Sequence, residues 1–260
     1  MKAIRFQLKG ELHSFREPSF HTYHKTLPFP PKTTLCGLFG AALGVSPSET
    51  NDLFLIGQPP RVEVGVVVNS IGGFTNDLWK IKKVKSGKKE EGDKPPSEDA
   101  IKFSGNWYYG GVIVREMLYQ PRYTVFVRSF DEELLTRVFS SLQNPSWALS
   151  LGREDELVRV VNLDWCEVRE LGDDVFYESV VLPAEKYLLD IESLKSTQGK
   201  ARQLHPPLVT RLPLSFQYKE DGEREGKEWL PFLFSASLKI QPKDSRSRGY
   251  TDGQYNFQFF

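Results

Sequence analysis

Residues 3–10 read AIRFQLKG. Ile4, Phe6 and Leu8 alternate with Arg5, Gln7 and Lys9, the period of two expected for a strand with one buried face, and Gly10 ends it. A polar loop from Glu11 to Pro31 follows, closing on Pro28, Pro30 and Pro31. In the next segment, LCGLFGAAL, Leu35, Leu38, Phe39 and Ala42 share one helical face; Thr33 or Thr34 is the expected N-cap and Gly44 the stop. A short helix over Ser48 to Ile56 and a valine-rich strand, RVEVGVVVN (61–69), come next. From Ser70 to Tyr109 the pattern lapses into a long interruption, a length that is usually functional or disordered inside a compact domain. GVIVREMLY and RYTVFVRS restore strand alternation. DEELLTRVFSSLQ is a helix capped by Asp131, with Leu134, Leu135, Val138 and Leu142 on its buried side. The order strand, helix, strand, insertion, strand, helix, strand is α+β and ferredoxin-like (RRM-like), a βαββαβ core.

After Asn144 the chain becomes β-rich: ELVRVVNL, DWCEVREL and VFYESVVL read as short strands. PPLVTRLPLSFQY and EWLPFLFSASLKI flank the polar turn KEDGEREGK as a hairpin. The expected organisation is a core over 1–165 carrying the long insertion, and a β-rich extension over 166–260 packed on that core.

The chain has 260 residues, of which 39% are hydrophobic and 26% charged, enough for a sizeable core and incompatible with overall disorder. The absence of a long apolar run or a hydrophobic leader predicts a cytoplasmic protein that does not enter a membrane. Cys36 and Cys166, with no CxxC, exclude a disulfide scaffold and a cysteine-based zinc site. Lys+Arg and Asp+Glu both number 34, but this neutrality averages unlike regions. Residues 80–89, KIKKVKSGKK, hold six lysines and no acid, whereas 152–178 hold nine acids against three arginines. Local potential rather than net charge governs contact with phosphates, so a polyanion partner is permitted.

Gly37, Gly40 and Gly44 lie within the helical pattern rather than before it, so they read as close packing and not as a phosphate loop. His13, His21, His24 and His205 do not form a metal pattern; His21 and His24 are three apart with no further ligand in view. No metal or other cofactor is expected. Tyr23, His24 and Lys25 have the chemistry for metal-independent RNA cleavage, as acid, base and phosphate holder. Adjacency is weak support, because an extended chain points neighbours to opposite sides. The lysine run alternates roughly with Ile81 and Val84, as a strand or hairpin arm with one basic face would, or is a solvated loop; it rejoins the core through Trp107, Tyr108 and Tyr109, and cations with stackable aromatics suit single-stranded RNA. In SWALSLGRED (146–155), Arg153 either pins a phosphate or pairs with an acid such as Asp155 across a tight turn.

Three segments, RFQLKGELHSFREP (5–18), LPFPPKTTLCGLFGAALG (27–44) and WALSLGRED (147–155), together resemble the CRISPR-associated Cas five family, on the type I side and near its I-B group. The resemblance is good over the N-terminal half and poor over the C-terminal third. It implies that the long insertion has the form of a thumb, at about 72–109, in a non-catalytic subunit that grips the repeat-derived 5′ handle of crRNA. Such a subunit packs against the backbone and large subunits of a Cascade-like antiviral complex and meets target DNA only through that complex. Arg16 and Pro28 to Thr34 match the family's N-terminal pattern, and Ser150, Gly152 and Arg153 match its Ser-Leu-Gly-Arg turn. The expected RNA-binding residues are Arg16, Lys25, Lys32, Thr33, Thr34, Lys80, Lys82, Lys83, Lys85, Trp107, Tyr108, Ser150, Gly152 and Arg153. One branch of the family cuts precursor crRNA using a tyrosine, a histidine and a lysine around the strand after the insertion. The corresponding stretch here, GVIVREMLYQPRYTVFVRS, has no histidine, which favours the non-catalytic role over an endoribonuclease using Tyr23, His24 and Lys25.

Overall fold

The structure, a computed structural model, describes residues 1–20, 23–56, 61–86, 101–103, 106–172, 177, 179–181, 187–189, 208–219, 224–234, 240–242 and 249–260. The chain opens with strands β1 (Lys2–Lys9) and β2 (Leu12–His13), then helices α1 (Lys32–Leu43) and α2 (Pro47–Phe54). Strand β3 (Glu63–Ser70) precedes β4 (Gly73–Ser86), β5 (Ile101–Phe103) and β6 (Asn106–Tyr119); β7 (Arg122–Arg128), α3 (Glu132–Gln143) and β8 (Arg159–Glu167) follow. Beyond them come β9 (Arg169–Glu170), β10 (Val180–Val181), β11 (Tyr187–Leu189), β12 (Leu208–Tyr218), β13 (Arg224–Phe234), β14 (Ile240–Pro242), β15 (Tyr250–Thr251) and β16 (Asn256–Phe257). The architecture is mixed α+β, rich in sheet and poor in helix. Among the described residues no helix is long and apolar enough to cross a membrane.

The central sheet runs β3-β7-β1-β8, with every neighbouring pair antiparallel. Its alternation is the one written in β1. Ile4, Phe6 and Leu8 are fully buried and join Val64 and Val66 of β3, Val125 and Val127 of β7, and the apolar sides of α1 and α3 in one core. Residues of the intervening positions face the other way, where Ala3, Val67 and Phe126 are covered by β15, β16 and the residues after them. Phe257 stacks on Phe126 with ring centroids 3.9 Å apart, and a side chain at Gly65 would lie 2.6 Å from the Phe257 ring. Phe260 then exchanges both backbone hydrogen bonds with Val64, each 3.0 Å.

Local sequence accounts for the helix ends. Asp131 accepts a 2.9 Å bond from the Leu134 N–H at the start of α3, and Gly44 ends α1 at φ 75°. The start of α1 departs from expectation: Pro31, not Thr33 or Thr34, is the N-cap, and no side chain caps the helix. Proline's fixed φ already sets the entry, and its carbonyl accepts from the Thr34 and Leu35 N–H groups.

Two other segments differ from the sequence pattern. Much of the interruption after Ser70 is a long hairpin, with β4 and β6 paired continuously from Gly73–Tyr119 to Ser86–Asn106. The hairpin arm read in the lysine run is the end of β4, which begins earlier at Gly73, where Phe74, Leu78 and Lys80 are exposed and no buried face marks the strand. The other edge of β6 pairs with β5 and β2 and bridges His24 at Arg115. ELVRVVNL and DWCEVREL, read as two strands, merge into the single β8, which crosses residue 165. Its pairing with β1 shifts register between Arg5 and Gln7, and Asn162 has a φ of 53°. A bulge, not a loop, interrupts the pattern.

The C-terminal hairpin pairs β12 with β13, as the flanking apolar runs implied. It is latched to α2 by Asn51, whose amide donates to the Phe216 carbonyl at 2.9 Å and accepts from the Phe216 N–H at 3.0 Å. That side chain imitates one rung of a strand ladder.

Candidate functional site

A groove of about 750 Å³ opens where four parts of the chain meet. One side is the loop after β2 and its return at His24, contributing Ser14, Phe15, Arg16, Pro18, His24 and Lys25. Another is the start of α1, with Pro31, Thr33 and Thr34. Trp79 and Arg115 enter from the β4–β6 hairpin, and Gly152 and Arg153 from the turn after α3. The β12–β13 hairpin closes the groove with Phe216, Arg224 and Trp229. Four arginines, a lysine and a histidine line it, and no carboxylate does.

The cations are held by aromatics and by a buried ion cluster. The Arg153 guanidinium lies 3.9 Å from the Trp79 ring centroid and reaches Asp155 at 3.4 Å. The arginine thus pairs locally with Asp155 and also lines the groove. Arg224 lies 5.1 Å from the Phe216 ring centroid. Arg115 is 5% exposed and meets Asp77 at 2.9 Å, Glu156 at 3.4 Å and Asp155 at 4.0 Å.

Glu156 organises this corner. It is 3% exposed and accepts from the Ser14 N–H at 2.7 Å, the Ser14 hydroxyl at 2.5 Å and the Arg153 N–H at 3.3 Å. Burial pushes its carboxyl above the usual range, against the pull of those donors and of Arg115. Gly152 sits between Glu156 and the Ser14 carbonyl at φ 112°, with no room for a side chain. Its glycine serves this close approach. Nearby, His13 is fully buried with Nδ1 2.8 Å from the Leu151 carbonyl, and burial lowers its pKa.

Of the expected binding residues, the groove gathers Arg16, Lys25, Thr33, Thr34, Gly152 and Arg153. Lys32 is elsewhere: as the first residue of α1 it is 4% exposed, its ammonium depressed by burial beside Cys36, Glu63 and Glu228. Ser150 bridges Leu157 within its turn and does not line the groove. Lys80, Lys82, Lys83 and Lys85 lie on β4, opposite Val112, Gly110, Tyr109 and Trp107, while Tyr108 opposes Val84. His21, His205, Lys88 and Lys89 lie outside the described residues, and among those described no three metal-binding side chains cluster.

Of Tyr23, His24 and Lys25, the groove gathers His24 and Lys25 but not Tyr23. The Tyr23 hydroxyl faces Asn76 and Glu116, at 3.3 and 3.4 Å. Lys25 Nζ lies 3.8 Å from Glu17. His24 is fixed by backbone bonds to Val114 and Glu116. Burial, then Arg16, Arg115 and Arg153, lower its pKa, which reports the positive potential of the groove.

Sequence reasoning missed Trp79, Arg115, Glu156, Arg224 and Trp229. Arg115 had a signal, a lone cation amid the apolar run GVIVREMLY. The others came from segments whose distance along the chain concealed their proximity.

A family model described as CRISPR-associated protein (Cas_Cas5) matches residues 3–223. Two solved structures share the fold. One, "CRISPR RNA-guided surveillance complex", is 16% identical with a TM-score of 0.50, covering 92% of this chain and 89% of that one. The other, a CRISPR protein from Archaeoglobus fulgidus, is 11% identical with a TM-score of 0.53, covering 99% and 98%. No curated protein matches the chain in sequence.

Proposed function

Since the chain belongs to the CRISPR-associated protein (Cas_Cas5) family, we propose that it is a non-catalytic RNA-binding subunit of a type I surveillance complex, holding the 5′ handle of crRNA. The observation that carries this reading is the carboxylate-free groove lined by Arg16, His24, Lys25, Arg115, Arg153 and Arg224. Arginine forks match phosphate oxygens, and the exposed edge of Trp229 offers a stacking surface. The N-terminus of α1, which no side chain caps, adds the positive end of its dipole, with no acidic residue in its first turn. The βαββαβ run and the order β3-β7-β1-β8 support a ferredoxin-like core, with the β4–β6 hairpin as its thumb. Leu78 and Val112, 68% and 63% exposed on that hairpin, suit packing against the backbone or large subunit.

Support for a non-catalytic role comes from Tyr23, whose hydroxyl faces Asn76 and Glu116 rather than the groove that His24 and Lys25 line. The test is a denaturing gel of end-labelled repeat RNA incubated with the folded protein and a chelator, beside a binding titration. Intact, tightly bound RNA whose affinity drops in Arg153→Gln/Arg224→Gln supports the proposal. A discrete cut lost in His24→Ala replaces it with a metal-independent endoribonuclease.

A further inference from the structure

At the end of the central sheet three cations stand in one row. Lys9 of β1 is the register partner of Arg122 on β7 and of Arg159 on β8. Like charges directly across a strand pair are unfavourable, and this row has two such pairs. Among the described residues none of the three forms an ion pair. They line a cavity of about 440 Å³ whose single carboxylate, Glu11, accepts a 2.9 Å bond from Gln120. Beside them lies the part of the sheet face that β15 and β16 leave open, where Asn162 donates to Gln7 and Thr124 to Asn69.

This place is separate from the groove. Between the two lies a cavity of about 600 Å³ lined by Glu11, Asp77, Asp155 and Glu156 with one cation, Arg115. Four carboxylates against one guanidinium disfavour a phosphate chain there, so the sheet end is not an extension of the groove.

We propose that Lys9, Arg122 and Arg159 form a second nucleic-acid site, which takes the phosphodiester backbone of a single strand. Adjacent strands are about 4.8 Å apart, so the row spreads its charge over roughly 10 Å. That spread fits a linear polyanion better than one isolated phosphate. The repulsion within the row is relieved when phosphates lie across it, and the amides of Gln7, Asn69 and Asn162 add donors and acceptors for sugars or base edges.

The experiment uses the full chain and two labelled probes of equal length, an oligouridylate and an oligothymidylate, titrated across a salt series. In Lys9→Gln/Arg122→Gln/Arg159→Gln the slope of log affinity against log salt shrinks by about 2, roughly 0.7 for each lost contact. The melting temperature holds or rises, because like charges have been removed. Arg122→Gln and Arg159→Gln alone each shrink the slope by about 0.7, which keeps the test usable if the triple variant misfolds. Equal losses on both probes assign the backbone of either nucleic acid; loss on the oligouridylate alone assigns RNA. Unchanged slopes and affinities on both probes overturn the proposal. Arg153→Gln/Arg224→Gln, measured on handle RNA in parallel, tests the groove by itself, so either site can fail alone.

Discussion

Gly152 carries more of the site than its size indicates. It holds φ 112° where a Cβ would meet the Glu156 carboxylate and lie 2.5 Å from the Ser14 carbonyl oxygen. Gly152→Ala is therefore expected to cost about 1–3 kcal/mol, read as a lower urea midpoint, and to weaken RNA binding by displacing Arg153. His24 makes a second residue-scale prediction. In the free protein burial and three arginines hold its pKa below 6.5, so it is neutral at pH 7. A phosphate beside the ring favours the protonated form, so binding takes up a proton. Affinity for handle RNA then rises as pH falls from about 7.5 to 5.5, by at most roughly tenfold per unit for one proton, and is flat above that range. His24→Gln loses this rise; a wild-type profile that stays flat on acidification removes His24 from the phosphate contacts.

On the proposed function, the β4–β6 hairpin is the element expected to add most to RNA binding beyond the groove itself. It puts Lys82, Lys83 and Lys85 in register with Gly110, Tyr109 and Trp107. Replacing the three lysines with alanine is expected to shrink the salt slope by about 2 with little change in base preference, measured by filter binding on handle and scrambled RNA. This hairpin also marks where sequence ceased to inform. The core strands and α3 were legible because each buries one face, so that Ile4, Phe6 and Leu8, or Leu134, Val138 and Leu142, recur at the period of their element. In β4 the alternation of lysines with Ile81 and Val84 marks only the far end as a strand or hairpin arm, while the stretch that exposes Phe74, Leu78 and Lys80 carries no such trace. The groove was half legible for a related reason. Arg16, Thr33, Thr34 and Arg153 sit in punctuated local motifs, whereas Arg224 and Trp229 arrive from a hairpin some 200 residues away from Arg16 in sequence.

At the scale of the whole molecule, the central sheet is closed on both sides, by α1 and α3 on one and by the residues around Phe257 on the other. Phe257→Ala removes the ring stacked on Phe126 and is expected to destabilise the chain by about 3–5 kcal/mol, seen as a lower denaturant midpoint, with dye binding to the uncovered Val67 and Phe126. The groove, by contrast, is walled by hairpins that belong to different parts of the chain. The wall formed by β12 and β13 packs on the core through Leu212, Phe232 and Phe234, and its β12 strand is tied to α2 by the two bonds of Asn51 to Phe216 and by the Tyr218 hydroxyl, which donates to the Pro47 carbonyl at 3.1 Å. Residence time is thereby separated from recognition. Asn51→Leu removes no groove side chain but loosens the strand that carries Phe216, so on the proposed function bound RNA is expected to leave faster while sequence preference stays the same. The expected outcome in a stopped-flow chase is a higher off-rate with an unaltered ranking of handle variants, so that a side chain outside the groove sets how long the groove stays occupied.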